Sequence, residues 1–251
     1  MQLRIAGFMS GKGTNLIKII EFERSYKNDN SPYKVVVIFS DNYNSNAIEI
    51  GKYYNIPVII KDIKTFYKNK NKNLKDMNVR EDFDKDVLMH ISKHNVSVIA
   101  YAGYMSIASH ILTDNLIGIN VHPADLSILD NKKRKYTGAH AVRDAIIAGE
   151  KYIYSSSHLV DRGVDQGSIF IISQPVEVEL GENFHIQNKN LSEVIVNINQ
   201  ENLKRKGDWI IFPLTLKYFS EGRFELDDYK NVLFDGNNIP NGIRMRDNYA
   251  I

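Results

Sequence analysis

Apolar and polar positions alternate along the first 150 residues in the order strand, helix, strand. Runs rich in β-branched and aromatic residues predict buried strands at 3–9 (LRIAGFM), 33–40 (YKVVVIFS), 56–60 (IPVII), 96–102 (VSVIAYA) and 116–122 (LIGINVH). Helical spacing predicts helices between them, starting at about Thr14 and over 46–55, 79–95 and 139–150. Continuous apolar strands joined by helical crossovers are typical of parallel sheets. The pattern predicts an α/β fold, a mostly parallel sheet flanked by helices.

The pattern changes after about residue 151. Two extended segments follow one another, YIYSSSHLV (152–160) and SIFIISQPVEVEL (168–180), and they predict antiparallel strands toward the C-terminal part. A last helix is predicted over roughly 207–219. The residues beyond it predict a small hairpin with its turn at Asp235-Gly236.

These changes divide the chain into a main domain, 1–222, and a C-terminal tail, 223–251. No internal repeat is visible. The Lys/Asn-rich segment KTFYKNKNKNLKDMN (64–78) is low in complexity, and it predicts a solvated loop.

Composition narrows the class of protein. The formal net charge of +2 gives no basic field for a nucleic acid. The absence of cysteine excludes disulfides and thiolate metal sites. Neither a signal peptide nor an apolar run of membrane-spanning length is visible. We expect a cytoplasmic protein that acts on small molecules and binds neither nucleic acid nor membrane, and a homodimer is left open.

The strand at 116–122 ends in polar residues where aliphatic ones would suffice. Residues two apart in a strand point the same way, so Asn120 and His122 face one space. Pro123 ends the strand and restricts His122 to extended geometry. Open α/β sheets bind ligands at the carboxyl ends of their strands. An amide and an imidazole there indicate a polar site.

The segment SGKGTNL (10–16) lies between the first strand and the first helix. Its spacing fits neither the P-loop nor the dinucleotide fingerprint. Two glycines and a helix N-terminus can bind phosphate through backbone amides, and a plain tight turn is the equally open alternative. His90 and His94 have helical metal-pair spacing but lack a third ligand, so no metal is expected. Asp165, beside Gln166-Gly167, reads by itself as a turn residue.

Five motifs taken together carry a resemblance: SGKGTNL, IFSDN (38–42), AGYMSI (102–107), NVHP (120–123) and VDQG (164–167). With FPLTLKYFSEGRF (212–224), the chain resembles the folate-dependent formyltransferases from its first strand to about Gly222. Among them it is most similar to the phosphoribosylglycinamide formyltransferases. The resemblance implies a Rossmann-like transferase of purine biosynthesis. Such an enzyme would move a formyl group from the co-substrate 10-formyltetrahydrofolate to the amine of glycinamide ribonucleotide, without a metal.

The resemblance also implies roles for individual residues, carried over by position. The catalytic set is Asn120, His122 and Asp165. The substrate-binding set comprises a phosphate cradle, an arginine near both ligands and an acidic residue beside the ribonucleotide: Gly13, Thr14, Asn15, Arg80 and Asp208. The folate pocket is lined by Tyr104, Met105, Ser106, Ile107 and Val164.

The implied chemistry explains the polar end of the strand. Formyl transfer to an amine passes through a tetrahedral intermediate whose oxygen becomes anionic, and preorganised donors stabilise it. The Asn120 amide and a protonated His122 would supply those donors. Asp165 would favour the imidazolium and accept the proton of the amine, directly or through water.

Departures from the family pattern leave the acceptor amine open. The segment ADLSILDNKKRKYTG (124–138) is longer than the family's, and Ser106 stands where the family often has arginine. We expect the cationic loop 127–137 to lie at the rim of the cleft. Alternatives are another amine such as a nucleotide-linked amino sugar, hydrolysis of formyl-folate, and methionyl-tRNA, for which no C-terminal tRNA-binding domain is recognised. A non-catalytic phosphate- or nucleotide-binding domain would need none of the three catalytic residues.

Overall fold

The computed structural model describes residues 2–27, 30–180 and 192–245. The chain forms two compact units, one of residues 1–120 with 159–163 and one of residues 121–158 with 164–251. The division at residue 222, inferred from the sequence, stays a prediction. Residues 246–251 of the expected tail lie outside the described residues.

The first unit consists of parallel strands joined by helices, as the sequence predicts. Its strands are β1 (Leu3–Met9), β2 (Tyr33–Ser40), β3 (Val58–Ile60), β4 (Val98–Tyr101) and β5 (Ile117–His122). Its helices are α1 (Thr14–Arg24), α2 (Ala47–Tyr54), α3 (Ile63–Asn69), α4 (Met77–Ser92) and α5 (His110–Thr113). The strands lie in the order β5-β4-β1-β2-β3, and every neighbouring pair is parallel. Their carboxyl ends therefore meet at one edge.

The core of this unit is aromatic. Phe8, Phe39 and Phe83 are fully buried, with ring centroids 4.7 Å apart for Phe8–Phe39 and 6.3 Å for Phe39–Phe83. Burial of large apolar side chains is the main term that stabilises such a unit.

The Lys/Asn-rich segment is not the uniform loop that its composition predicts. α3 covers Ile63–Asn69. Asp62 caps it by accepting a hydrogen bond from the Thr65 amide at 2.7 Å, and Phe66 packs against the aromatic core. Tyr67 is fully buried, and its hydroxyl donates to the Asp76 carbonyl at 3.0 Å. The cap and the two packed aromatic rings order this short helix in spite of its polar composition.

The second unit contains mainly antiparallel strands. They are β6 (Leu129–Asp130), β7 (Lys133–Arg134), β8 (Tyr152–Ile153), β9 (Ser156–Leu159), β10 (Ile169–Ile172), β11 (Val176–Glu177), β12 (Phe224–Leu226), β13 (Val232–Phe234), β14 (Asn237–Asn238) and β15 (Ile243–Arg244). The pairs β6–β7, β8–β11, β9–β10, β12–β13 and β13–β14 are antiparallel, and β10–β15 is parallel. The α/β fold class and the antiparallel strands toward the C-terminal part are confirmed.

The hairpin turn at Asp235-Gly236 joins β13 to β14, as the sequence predicts. Both residues have positive φ, 48° and 78°, which suits a two-residue turn of the primed type.

The helices of the second unit differ from expectation. They are α6 (Ala141–Ile147), α7 (Glu193–Leu203) and α8 (Trp209–Ser220), and a π-helical turn, Lys204–Asp208, links the last two. The sequence predicted α8 within two residues and missed α7, which is rich in valine and isoleucine. Those residue types have modest helix propensity, and α7 is fixed instead by burial of Leu203 in a core cluster.

Candidate active site

The loop between β1 and α1 has the geometry of an anion site. Gly13 caps α1 with a left-handed φ of 71°, and no side chain caps the helix. The first turn of α1 holds no acidic residue. The amides of Thr14 and Asn15 belong to this turn, where backbone N–H groups have no intrahelical acceptor. The three residues proposed as a phosphate cradle are therefore together at a helix N-terminus, and their role stays a prediction.

Neighbouring loops tie this loop in place. The Ser10 amide donates to the Gly103 carbonyl at 3.0 Å, and the Met105 amide donates to the Ser10 hydroxyl at 2.9 Å. Asn42 donates its side-chain amide to the Ser10 carbonyl at 2.9 Å. The loops after β1, β2 and β4 thus form one connected edge at the carboxyl ends of parallel strands, where such sheets bind ligands.

The proposed folate-pocket segment presents apolar side chains to solvent. Met105 is 73% exposed and Ile107 is 56% exposed. The Ser106 hydroxyl donates a hydrogen bond to the Asp41 carboxylate, a contact that the sequence did not predict. Val164, in the second unit, is also exposed. Exposed apolar side chains suit a flat aromatic ligand, and the folate role of these residues stays a prediction.

Arg80 and Tyr104 contact each other within the first unit, where Arg80 is buried and Tyr104 is half-buried. The Arg80 guanidinium donates to the Tyr104 hydroxyl at 2.9 Å and pairs with Asp84 at 3.2 Å. The Tyr104 ring packs edge-on against Phe8, 5.3 Å between centroids. Both side chains already have partners among the residues of the first unit, and their contact with ligands stays a prediction.

The second unit brings His122 and Asp165 together, as the sequence predicts. The His122 Nδ1 lies 3.4 Å from one Asp165 carboxylate oxygen, and the His158 Nε2 lies 3.6 Å from the other. The Gly138 amide donates to Asp165 at 2.8 Å, and the His122 Nε2 donates to the Tyr136 carbonyl at 3.0 Å. One carboxylate is thus held between two buried imidazoles and an amide.

These contacts keep Asp165 ionised. Burial by itself would raise the pKa of its carboxyl. The hydrogen bond from His158, the attraction to His122 at the low pH where that imidazole is protonated, and the Gly138 amide together outweigh burial and lower the pKa of Asp165 to about 2. The residue has a left-handed φ of 53°, uncommon outside glycine, although aspartate tolerates it better than most residues do. Asp165 therefore lies in a turn, as the sequence by itself indicates, and its carboxylate has partners as well.

The surroundings of His122 favour its neutral form in the ligand-free protein, and a protonated His122 in the reaction stays a prediction. Burial lowers the pKa of His122, and repulsion from His158 and Arg134 adds to this effect. Asp165 and the Tyr136 carbonyl raise the pKa, as the sequence argument held, but burial outweighs them. The imidazole is therefore mainly neutral at neutral pH in the ligand-free protein.

Asn120 and Asp208 complete the set that the sequence proposed. Asn120 is half-buried, stands opposite Tyr101 in the β4–β5 register and precedes His122 by two residues in β5. Asp208 is buried at the end of the π-helical turn and accepts a hydrogen bond from the Ser155 hydroxyl. A Cβ on Gly207 would lie 2.5 Å from that hydroxyl, so glycine permits the contact. Roles in catalysis and ribose binding stay predictions.

Sequence reasoning missed three contributors to this site. His158, Tyr136 and Gly138 contact His122 or Asp165 from positions distant in the chain. For His158 a sequence signal existed: the polar run SSSH, 155–158, interrupts the apolar positions of a predicted strand, and the structure buries all of β9. Polar residues throughout a buried strand indicate an internal hydrogen-bond network.

Two further structural features concern metal ions and membranes. Within residues 2–27, 30–180 and 192–245, no three His, Asp or Glu side chains are grouped to hold a metal ion. No helix in the same ranges combines the length and apolar character needed to cross a membrane.

Comparison with known proteins gives the class. The sequence profile of the formyl transferase family matches residues 3–199. The chain belongs to this family. Phosphoribosylglycinamide formyltransferase of Haemophilus influenzae is 29% identical over 240 residues, 94% of this chain and 96% of that protein. The Escherichia coli protein of the same name is 23% identical over 95% of this chain and 96% of its own length.

The same relationship is visible in three dimensions. The structure of phosphoribosylglycinamide formyltransferase from Coxiella burnetii superimposes with a TM-score of 0.71 at 21% identity, covering 98% of this chain and 100% of that one. At this identity the superposition shows a shared fold.

Proposed function

We propose that this chain transfers a formyl group from 10-formyltetrahydrofolate to the amine of glycinamide ribonucleotide, a step of purine synthesis. Family membership supports the reaction type, and relatives with this name match nearly the whole chain. The observation that carries the proposal is the His122–Asp165–His158 cluster, because an ionised carboxylate beside a neutral imidazole can take up and pass on the proton that amine formylation releases. We place the reaction in the cytoplasm because its substrates are polar small molecules, and a homodimer stays a prediction.

The proposed reaction conserves atoms and charge through a tetrahedral intermediate. The acceptor nitrogen forms a bond to the formyl carbon, and the carbonyl pair moves to oxygen. The attacking nitrogen loses a proton to Asp165, directly or through water. Collapse of the intermediate re-forms the carbonyl, breaks the bond to the folate nitrogen and returns a proton to that nitrogen.

The ionisation of the cluster fits this sequence. A pKa of about 2 keeps Asp165 ionised at neutral pH but makes it a weak base, so Asp165 would pass the proton of the amine on to the His122 Nδ1, 3.4 Å away. His122 is mainly neutral before this step, and the imidazolium that forms would stabilise the developing oxyanion by its charge. Asn120, two residues earlier in β5, would donate a hydrogen bond to that oxygen.

The test is a formyl-transfer assay with the full chain, 10-formyltetrahydrofolate and glycinamide ribonucleotide. We expect formylation that depends on glycinamide ribonucleotide. Asp165→Asn should lower kcat by about 10²–10⁴-fold with little change in the dissociation constant of either substrate, because the lost interaction serves the transition state.

The control for this variant is Asp161→Asn. Asp161 lies four residues before Asp165, and its carboxylate accepts a hydrogen bond from the Gly163 amide at 2.9 Å. Asp161→Asn should retain kcat. Formylation of an amino sugar nucleotide in place of glycinamide ribonucleotide would show that the acceptor is a different amine. Loss of the formyl group to water without an acceptor would show that the chain is a hydrolase. Binding without any turnover would support the non-catalytic alternative instead.

A further inference from the structure

Residues 129–134 form a hairpin that the sequence did not predict. β6 and β7 pair through Leu129–Arg134 and Asp130–Lys133. The turn between them consists of Asn131 and Lys132, with φ of 48° and 64°. Two consecutive positive φ angles are typical of a two-residue primed turn, which sets the register of the strands. The turn therefore fixes where Arg134 stands.

Arg134 binds the main chain of the loop that carries Asp165. Its Nη1 donates to the Asp165 carbonyl at 2.6 Å, and its Nη2 donates to the Gly167 carbonyl at 2.9 Å. A planar guanidinium holds two acceptors at a fixed separation, which an ammonium cannot do. The contact engages the residue with the left-handed φ, so it holds a backbone that has other accessible conformations.

The same short segment contacts the cluster at every second residue. Arg134 holds the Asp165 carbonyl, the Tyr136 carbonyl accepts from His122, and the Gly138 amide donates to the Asp165 carboxylate. Backbone and side chain of Asp165 are thus held from one stretch of chain. The charged or titratable groups that meet there are the Arg134 guanidinium, the Asp165 carboxylate and the imidazoles of His122 and His158.

We propose that Arg134 is a positioning residue for formyl transfer, holding the 165–167 loop so that the Asp165 carboxylate stays between the two imidazoles. The inference rests on the proposed function. Arg134 acts through Asp165 and needs no contact with either substrate. Displacement of a catalytic group by about 1 Å can cost about 10²-fold in rate, so loss of the guanidinium should affect turnover more than binding.

The test compares Arg134→Lys and Arg134→Gln with the parent in the full chain. Arg134→Lys keeps the charge but not the two-pronged contact, and Arg134→Gln loses both. We expect kcat to fall about ten- to hundredfold in both variants, with the KM of each substrate within about twofold. Amide hydrogen exchange at Gly138 should become faster, because its acceptor is no longer held. Millimolar guanidinium ion, far below denaturing concentrations, should restore part of kcat to Arg134→Ala.

The matched control is Arg223→Gln, which breaks another two-pronged guanidinium contact of the second unit, with Asp235 at 2.9 and 2.6 Å. Arg223→Gln should keep the kcat and the Gly138 exchange rate of the parent, and added guanidinium ion should not raise its kcat. The proposal would be overturned if Arg134→Lys kept the kcat and the Gly138 exchange rate of the parent. This outcome decides the question even if Arg134→Gln fails to fold. An inactive parent would defeat the proposed function, and Gly138 exchange would still test the positioning role.

Discussion

At the scale of single residues, the candidate site gives different protonation states to the two ionisable groups that we propose for formyl transfer. His122 and Asp165 are 3.4 Å apart, and the pKa of each is lowered for a different reason. Asp165 is stabilised as an anion by donors, while His122 is buried and loses its proton. In the proposed reaction, two neighbouring groups with such environments would divide the roles of proton acceptor and proton carrier.

The lowered pKa of His122 predicts a pH dependence of stability. The unfolded chain takes up a proton at its ordinary pKa of 6.5, while the folded chain resists it. Stability therefore rises with pH where the unfolded state binds more protons, and it falls as the pH drops below 6.5. In His122→Gln, the free energy of unfolding measured with urea should change less between about pH 7 and pH 5 than in the parent. Equal changes in the two proteins would contradict the prediction.

Asp165 should lower stability in the same direction, as the pH falls, but in a lower pH range. Its folded pKa of about 2 lies below the unfolded value of 3.8, so its contribution is present above pH 3.8 and is lost as the pH falls toward about 2. Screening at this partly exposed group limits the contribution to about 1 kcal/mol. The two residues therefore affect stability in separate pH ranges.

The residue scale also shows what one sequence can give. Asn120 and His122 were recognisable because both stand in one apolar strand, and a strand's alternation is local. Asp165 needed the order of several motifs, since by itself it looked like a turn residue. Arg134 and Tyr136 were not recognisable, because their contacts depend on a hairpin register that residue types alone do not determine.

At the scale of elements, the loop before α1 depends on a conformation that only glycine adopts easily. Gly13 has φ of 71°, and a Cβ there would lie 2.6 Å from Ile50 and 2.7 Å from Met9. Gly11, two residues earlier, has open space where a Cβ would stand, with no neighbouring atom within 4 Å. The two glycines are therefore not equivalent, although the sequence presents them alike.

This difference predicts distinct effects of two alanine substitutions. Gly13→Ala should destabilise the fold by about 1–2 kcal/mol and raise the KM for glycinamide ribonucleotide, since it displaces the amides that we propose as the phosphate cradle. Gly11→Ala should change both little. Lys12→Ala should raise the KM only about twofold, because an exposed cation is screened. Steady-state kinetics and urea unfolding of the three variants decide this, and a larger effect for Lys12→Ala would contradict a backbone cradle.

The elements themselves were predicted unevenly for physical reasons. The buried parallel strands gave clear signals because both faces are apolar. α3 was missed because its order depends on one cap and two aromatic side chains, Phe66 and Tyr67, within a Lys/Asn-rich segment. α7 was missed because its β-branched residues favour strands locally, and packing of Leu203 outweighs that preference.

At the scale of the whole chain, the segment 124–138 contains the cationic loop that the sequence predicts at the rim of the cleft. Its four consecutive cations are not equivalent. Arg134 binds backbone carbonyls, and Lys135 pairs with Glu150 at 3.2 Å. Lys132 and Lys133 are exposed, at and just after the hairpin turn. A net charge of +2 gives no long-range field, so any attraction of an anionic substrate must come from such local groups.

The last prediction follows from that difference. If Lys132 and Lys133 attract the anionic glutamate tail of the folate, replacing both with glutamine should raise the KM of the formyl donor about two- to threefold at low salt. The effect should vanish near physiological salt, where screening acts over about 8 Å. It should also grow with the number of glutamates on the donor, while kcat stays unchanged. The control replaces two exposed lysines of the first unit, Lys52 and Lys85, with glutamine. An equal rise in both double variants would reduce the effect to net charge, and a salt-independent rise would mean that the hairpin shapes the pocket instead.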